Sequence, residues 1–247
     1  EFVFGDWSSD VCSSDLIAIP TTPGTGSEAT SVAVIKDQAG NKKPYVNAAF
    51  IPDLAILDHN FLTSIPEALL MEFCGDIFGH AWEGSISIAS SSLLQGLGKA
   101  SIELLRAGIQ NFHTEKQVNA LGDIFYAGHL AGIVQGNAFV GVCHALAHSL
   151  EVLSGVPHAK GILYLAEPIM KWMVKQKENP LYVEFLNEFE KLGLNKFKDP
   201  QVHDKLAQLE VSKLVELSLK DPAISTTPIR MTMENLTELI QWILQNK

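Results

Sequence analysis

The chain predicts an α/β segment followed by an all-helical domain, on three observations. Short apolar and β-branched runs bounded by turn residues stop near residue 59. Beyond that point the apolar residues recur with the period of a helix and strand signals are absent. With 47% hydrophobic residues in 247, there is enough apolar material to fill a core.

The opening EFVFGDWSSDVCSSDL has neither helical nor strand period and contains a near-duplicate, Ser8-Ser9-Asp10 and Ser13-Ser14-Asp15. Gly5 to Leu16 resembles a translated sequencing-adapter segment, so residues 1–16 are expected to be an unstructured artefact and are set aside from fold reasoning. Ile17-Ala18-Ile19-Pro20 reads as a strand entering a loop of small residues, Thr21-Thr22-Pro23-Gly24-Thr25-Gly26-Ser27. Ser31–Asp37 is a second strand, Gly40-Asn41 a turn, and Leu54–Asp58 a further buried-strand candidate. Three or four strands with one open edge make a poor independent sheet, so residues 17–59 read as the end of a larger α/β unit.

The helical part, residues 60–247, opens at Ser64-Ile65-Pro66-Glu67, where the serine-to-glutamate spacing suggests a capping box. Helical periodicity follows near 66–90, 93–112, 115–136, 138–154, 159–176, 180–192 and 232–246, with Gly96-Leu97-Gly98 resembling a helix boundary. In the last segment Leu236, Leu239, Ile240, Ile243 and Leu244 lie on one face.

Composition removes several function classes. A formal charge of −10 offers no basic surface for a phosphate backbone, so no nucleic-acid partner is expected. No run approaches the roughly 18 apolar residues of a membrane span, so no membrane partner is expected either. Three scattered cysteines, Cys12, Cys74 and Cys143, suit a reducing compartment, and the cytoplasm is the expected location.

Six of the eight histidines fall between 80 and 158. Asp76 and His80 are four apart on a predicted helix and share a face; His144 and His148 repeat the spacing on another. His158 follows a break at Gly155 and Pro157 and can fold back toward that pair. One carboxylate with several imidazoles suits a borderline divalent ion such as Fe²⁺ or Zn²⁺, whereas Mg²⁺ or Ca²⁺ needs more oxygens. His113 and His129 have no second ligand at helical spacing and read as ordinary core or surface histidines. Gly24-Thr25-Gly26-Ser27-Glu28-Ala29 fits the letters of a dinucleotide fingerprint, but Val32, Val34 and Ile35 follow where a helix should open. What remains is a loop of small residues that lets backbone and hydroxyls approach a ligand, or a plain turn.

Taken in order, Ile17–Thr30, Pro52–Asp58, Gly75–Glu83 and Val142–His148 with Pro157-His158 resemble the iron-containing (group III) alcohol dehydrogenase family over nearly all of 17–247. The resemblance implies a Rossmann-like nucleotide-domain remnant followed by an all-α metal-binding catalytic domain, the fold shared with dehydroquinate synthase. It implies Asp76, His80, His144 and His158 as metal ligands for Fe²⁺, with Zn²⁺ as the alternative, and His148 beside the nicotinamide as a catalytic group for the alcohol proton. Thr21, Thr22, Thr25, Gly26 and Ser27 would line the cofactor, NAD or NADP, and the substrate would be a small alcohol or aldehyde. Trp82, Ser149, Glu151 and Ala159 depart from the family pattern, and Phe78 and Trp82 either reshape the pocket or pack behind it. The family's N-terminal elements have no counterpart in this sequence, so an N-terminally truncated chain is expected. The rival readings are a zinc enzyme of the glycerol dehydrogenase or dehydroquinate synthase type, and an inactive helical fragment that associates with its own copies through the open sheet edge.

Overall fold

The computed structural model describes residues 16–36, 42–115 and 118–246. Residues 1–15 and the Gly40-Asn41 turn therefore lie outside the described residues. Leu16, the last residue of the segment set aside above, is paired: its N–H donates to Asp53 Oδ2 at 2.8 Å, and its carbonyl accepts from Asp53 and Leu54.

Four short strands form two separate two-stranded sheets among the described residues. β1 (Ile17–Ala18) and β4 (Leu54–Ala55) run parallel, while β2 (Val32–Lys36) and β3 (Lys42–Val46) are antiparallel, with Val32 opposite Val46. β3 was not anticipated, because two lysines and Pro44 argue against a strand. A strand with a single neighbour tolerates the missing proline donor. The strand expected over Leu54–Asp58 is cut to two residues, and it is not buried: Ile17, Ile19 and Leu54 are each about half exposed.

Helix α1 (Glu67–Ile86) forms the centre of the helical part, and every residue from Cys74 to Ile86 is buried. It packs against α2 (Ser92–Glu115), α3 (Val118–Ala138) and α5 (His158–Gln176), and touches α4 (Val142–Ser154) and α6 (Pro180–Leu192). Shorter α7 (Pro200–Ala207), α8 (Val211–Leu219) and α9 (Met233–Gln245) complete it. α9 buries Leu236, Leu239, Ile240 and Ile243 toward α5 and α8, on the face its periodicity marks.

Three expectations need correction. Ser64 does not cap α1, whose N-cap is Pro66 without a side-chain hydrogen bond. A residue before proline is steered away from helical backbone, so Ile65 cannot open the helix and Ser64 lies too far upstream. Gly96-Leu97-Gly98 lies inside α2. A Cβ at Gly98 would fall 2.0 Å from Ser85 Oγ and 2.9 Å from the Ala81 carbonyl, so this glycine lets α2 close on α1. Finally, α7 and α8 were not anticipated; each shows only three buried positions, two of them apolar.

Phe78 and Trp82 are fully buried. Phe78 meets Phe189 of α6 edge to face at 5.1 Å between centroids, so both rings pack into the core behind the polar face of α1. No single helix among the described residues is long and apolar enough to cross a membrane.

Candidate metal centre

A helix buried all round must find partners for every polar side chain it carries. Ser85 of α1 donates back to the Ala81 carbonyl, and the buried ionisable side chains Asp76, His80 and Glu83 are placed on one face by the helical period. α4 contributes His144 and His148 one turn apart. Gly155, at φ 68°, ends α4 in the left-handed conformation that glycine adopts freely, and Pro157 is the N-cap of α5. The short turn returns the chain so that His158, first residue of α5, stacks on His148 at 4.9 Å between centroids and lies 5.3 Å from His144.

Three imidazole nitrogens converge on one carboxylate oxygen. The Nε2 atoms of His80, His144 and His158 lie 3.9, 3.7 and 3.5 Å from Asp76 Oδ1. Ligand atoms of Asp76, His80 and His144 all fall within 4.8 Å of one another. Asp76 Oδ1 and His144 Nε2 are buried with no hydrogen-bond partner. Such orphaned groups are costly unless a further species joins them. Ligand atoms about 2.1 Å from a tetrahedral ion lie about 3.4 Å apart, close to the separations found here. The donor set therefore fits a divalent ion of the Fe²⁺ or Zn²⁺ kind.

Electrostatics follows the packing. Burial pushes the Asp76 carboxyl up, but the imidazoles of His80, His144 and His158 outweigh it and hold the group well below the usual carboxylate range. Burial drives His80 down to about 4 against the pull of Asp76, and it also lowers His158. For His144 burial is overcome by Asp76 and Glu83, which raise it to about 9.

Two residues of this site were not singled out from the sequence. Glu83 accepts four hydrogen bonds: from the backbone N–H of Gly141, Cys143 and His144 at 3.0, 2.7 and 3.2 Å, and from His144 Nδ1 at 2.6 Å. One carboxylate thus caps the start of α4, where Gly141 supplies no side-chain cap, and orients an imidazole of the cluster. Its position, seven residues after Asp76 on the same face, is the signal that could have marked it. Asp221 accepts from His148 Nδ1 at 2.8 Å, and nothing in the sequence pattern points to it.

The small-residue loop runs beside this cluster. A Cβ at Gly24 would sit 3.2 Å from Asp76 Oδ2. Gly26, at φ 56°, is turned away and packed on α3, where its own Cβ would fall 2.5 Å from Gly132 Cα. Thr21, Thr22, Thr25 and Ser27 are exposed. The two histidines read as ordinary have partners: His129 Nδ1 lies 3.0 Å from Glu28 Oε1, and His113 Nδ1 lies 3.5 Å from Glu67 Oε1.

The chain is similar to known proteins. The model of the C-terminal part of the Fe-containing alcohol dehydrogenase family matches residues 74–209, and a model for iron-containing alcohol dehydrogenase matches 7–59. The bifunctional aldehyde-alcohol dehydrogenase AdhE of Escherichia coli K12 is 36% identical over 146 residues, covering 58% of this chain and 16% of that protein. Among solved structures, a 1,3-propanediol oxidoreductase superimposes with a TM-score of 0.81 at 22% identity, covering 92% of this chain and 65% of that one. Sulfoacetaldehyde reductase from Bifidobacterium kashiwanohense, solved with NAD+, gives 0.79 at 21% identity and covers 94% and 65%. The chain thus spans less than two thirds of the length of each of these relatives. With one family model matching more than half of its residues, this chain belongs to the iron-containing alcohol dehydrogenase family.

Proposed function

We propose that the chain carries the metal-binding catalytic part of an NAD(P)-dependent alcohol dehydrogenase, with Asp76, His80, His144 and His158 as the ligands of a divalent ion. The convergence of three Nε2 atoms on the otherwise unpaired Asp76 Oδ1 is the observation that supports this reading. Family membership favours iron(II) as the ion, and the same donors would accept zinc(II). When bound, the ion supplies a Lewis acid for an alcohol or aldehyde oxygen, and a nicotinamide coenzyme takes up or returns the hydride.

The protein's own contribution is placement and protonation state. Asp76 brings the single negative charge of the ligand set, and burial keeps water from competing for His80 and His144. Glu83 accepts a hydrogen bond from His144 Nδ1–H, so that Nε2 is the nitrogen left to give up its proton to a bound ion. His148 is held outside the ligand set, partly open to solvent, where it can take the proton of a substrate hydroxyl or return it. Thr21, Thr22, Thr25 and Ser27 are read as the cofactor-facing loop, supported by their exposure and by the approach of Gly24 to Asp76, while Gly26 anchors that loop on α3 rather than facing the cofactor. Residues 17–59 are then the end of a nucleotide-binding domain and 60–247 the catalytic domain. Cys74 and Cys143, both free and buried, agree with a cytoplasmic location.

Anaerobic titration with Fe²⁺ or Zn²⁺ tests the ligand set. The chain should bind one equivalent; His144→Ala and His158→Ala should lose it, while His148→Ala should retain it and slow alcohol oxidation wherever turnover is measurable. Metal loss in the His148 variant, or retention in both ligand variants, would overturn the assignment.

A further inference from the structure

Building on that reading of the site, we propose that Asp221 is a positioning residue that locks His148 in the tautomer with its proton on Nδ1, leaving Nε2 as the open proton acceptor beside the ligand cluster. Asp221 is the N-cap of the short 3-10 turn Pro222–Thr226. Its Oδ1 accepts from the Ala223 N–H at 2.9 Å and its Oδ2 from His148 Nδ1 at 2.8 Å, so each oxygen holds a directional bond. The side chain is 18% exposed against 36% for His148, so the carboxylate is the better-anchored partner. Contact with His148 holds Asp221 below the usual carboxylate range even though burial pushes it up, so it acts as an acceptor only. A neutral imidazole carries one N–H, and a carboxylate facing Nδ1 selects the ring form that places it there.

The opposite side of the ring is fixed as well. His148 stacks on His158 at 4.9 Å with 20° between planes and meets His144 nearly edge-on at 6.2 Å and 68°. The ring is thus held between Asp221 and the ligand imidazoles, and water reaching its exposed part has no need to supply the Nδ1 contact. In alcohol oxidation the substrate O–H bond breaks toward Nε2 while the hydride leaves its carbon for the nicotinamide, and the reverse transfers reduce an aldehyde. Only the tautomer that Asp221 selects has a free lone pair at Nε2 for that proton.

Long-range ¹H–¹⁵N correlation on the ¹⁵N-histidine-labelled chain reads the tautomer directly, with His148 assigned by the signals missing from His148→Gln. The expected spectrum at alkaline pH shows a pyrrole-type Nδ1 and a pyridine-type Nε2. Asp221→Ala should lose that signature and average the two nitrogens while its bound Zn²⁺ stays at one equivalent. Asp221→Asn keeps the cap, turns an amide N–H toward the ring and should shift the proton to Nε2. A wild-type His148 protonated on Nε2, which needs no variant, would overturn the proposal, as would an unchanged signature in a folded Asp221→Ala. If the chain retains no metal yet His148 keeps its Nδ1 proton, the ligand assignment fails and the role of Asp221 stands.

Discussion

Replacing Glu83 should damage both the fold and the candidate metal site. Its carboxylate accepts from four donors: three backbone N–H groups at the start of α4 and the Nδ1–H of His144, at 2.6–3.2 Å. Gly141, Cys143 and His144 are all buried, so water does not readily replace the lost oxygen atoms. A buried donor left unpaired costs about 1–3 kcal/mol, and removing one partner from a buried charged network costs about 3–5 kcal/mol. Partial relaxation of α4 sets Glu83→Ala near about 4 kcal/mol. At about 2–4 °C of melting temperature per kcal/mol for a chain of this size, the transition falls by about 8–16 °C. Glu83→Gln can turn its amide oxygen to the three donors that Oε2 serves and gives up only the Cys143 bond and the charge, so it should lose about 2 kcal/mol. Glu83→Ala frees the His144 ring to turn, and its Zn²⁺ affinity should fall about 10- to 100-fold, whereas Glu83→Gln keeps the His144 Nδ1 bond and should lose less. Thermal melts and metal titration of the two proteins decide the matter. A Glu83→Ala chain that melts within about 2 °C of the parent and binds Zn²⁺ equally well would refute the reasoning.

Other perturbations test separate parts of the account. In Gly132→Ala the new Cβ would sit 2.3 Å from the Gly26 carbonyl oxygen, which should force the 21–30 loop off α3, cost about 1–3 kcal/mol and speed protease cleavage in that loop. Phe139 is the one non-glycine described residue at positive φ, 61°, and is about half exposed; Phe139→Gly should relieve that conformation and stabilise the chain by about 1 kcal/mol in denaturant unfolding. Burial pushes the Glu167 carboxyl up, but hydrogen bonds from Lys171 and Lys198, each 2.6 Å, hold it below its ordinary 4.5. A lowered folded-state value means stability present above about pH 4.5 and lost as pH falls through the lower one. The stability difference between the parent and Glu167→Gln should therefore be largest near neutrality and shrink in acid, and a constant difference would contradict the pairing.

The helical half was legible because its periodicity is long: α1 to α6 and α9 lie where their apolar residues recur. α7 and α8 are only 8 and 9 residues long and show too few buried positions to stand out from a loop. The pairs Asp76/His80 and His144/His148 could be read because an i,i+4 spacing is a contact within one helix. His158 could be read because Gly155 and Pro157 announce a tight turn. Glu83 shares a face with Asp76, yet a glutamate on a helix ordinarily faces water, and its burial depends on α4 arriving from 58 residues away in sequence. Asp221 joins His148 across 73 residues, a contact created by the packing of α8 and the following Pro222–Thr226 turn on α4. The strands Ile17–Ala18 and Leu54–Ala55 carry the apolar character of buried strands while standing about half exposed. Local sequence encodes how a strand is built, but what covers it is a property of the tertiary fold.

The central claim is that Asp76, His80, His144 and His158 hold one divalent ion. X-ray absorption at the metal edge, on the chain loaded anaerobically with one equivalent of Fe²⁺, examines it most directly. The account predicts a first shell of nitrogen and oxygen only, outer-shell scattering from three imidazoles, and loss of that protein-bound spectrum in His158→Ala, which should not retain the ion. A sulfur ligand, fewer than three imidazoles in the parent, or an unchanged spectrum in the variant would contradict it.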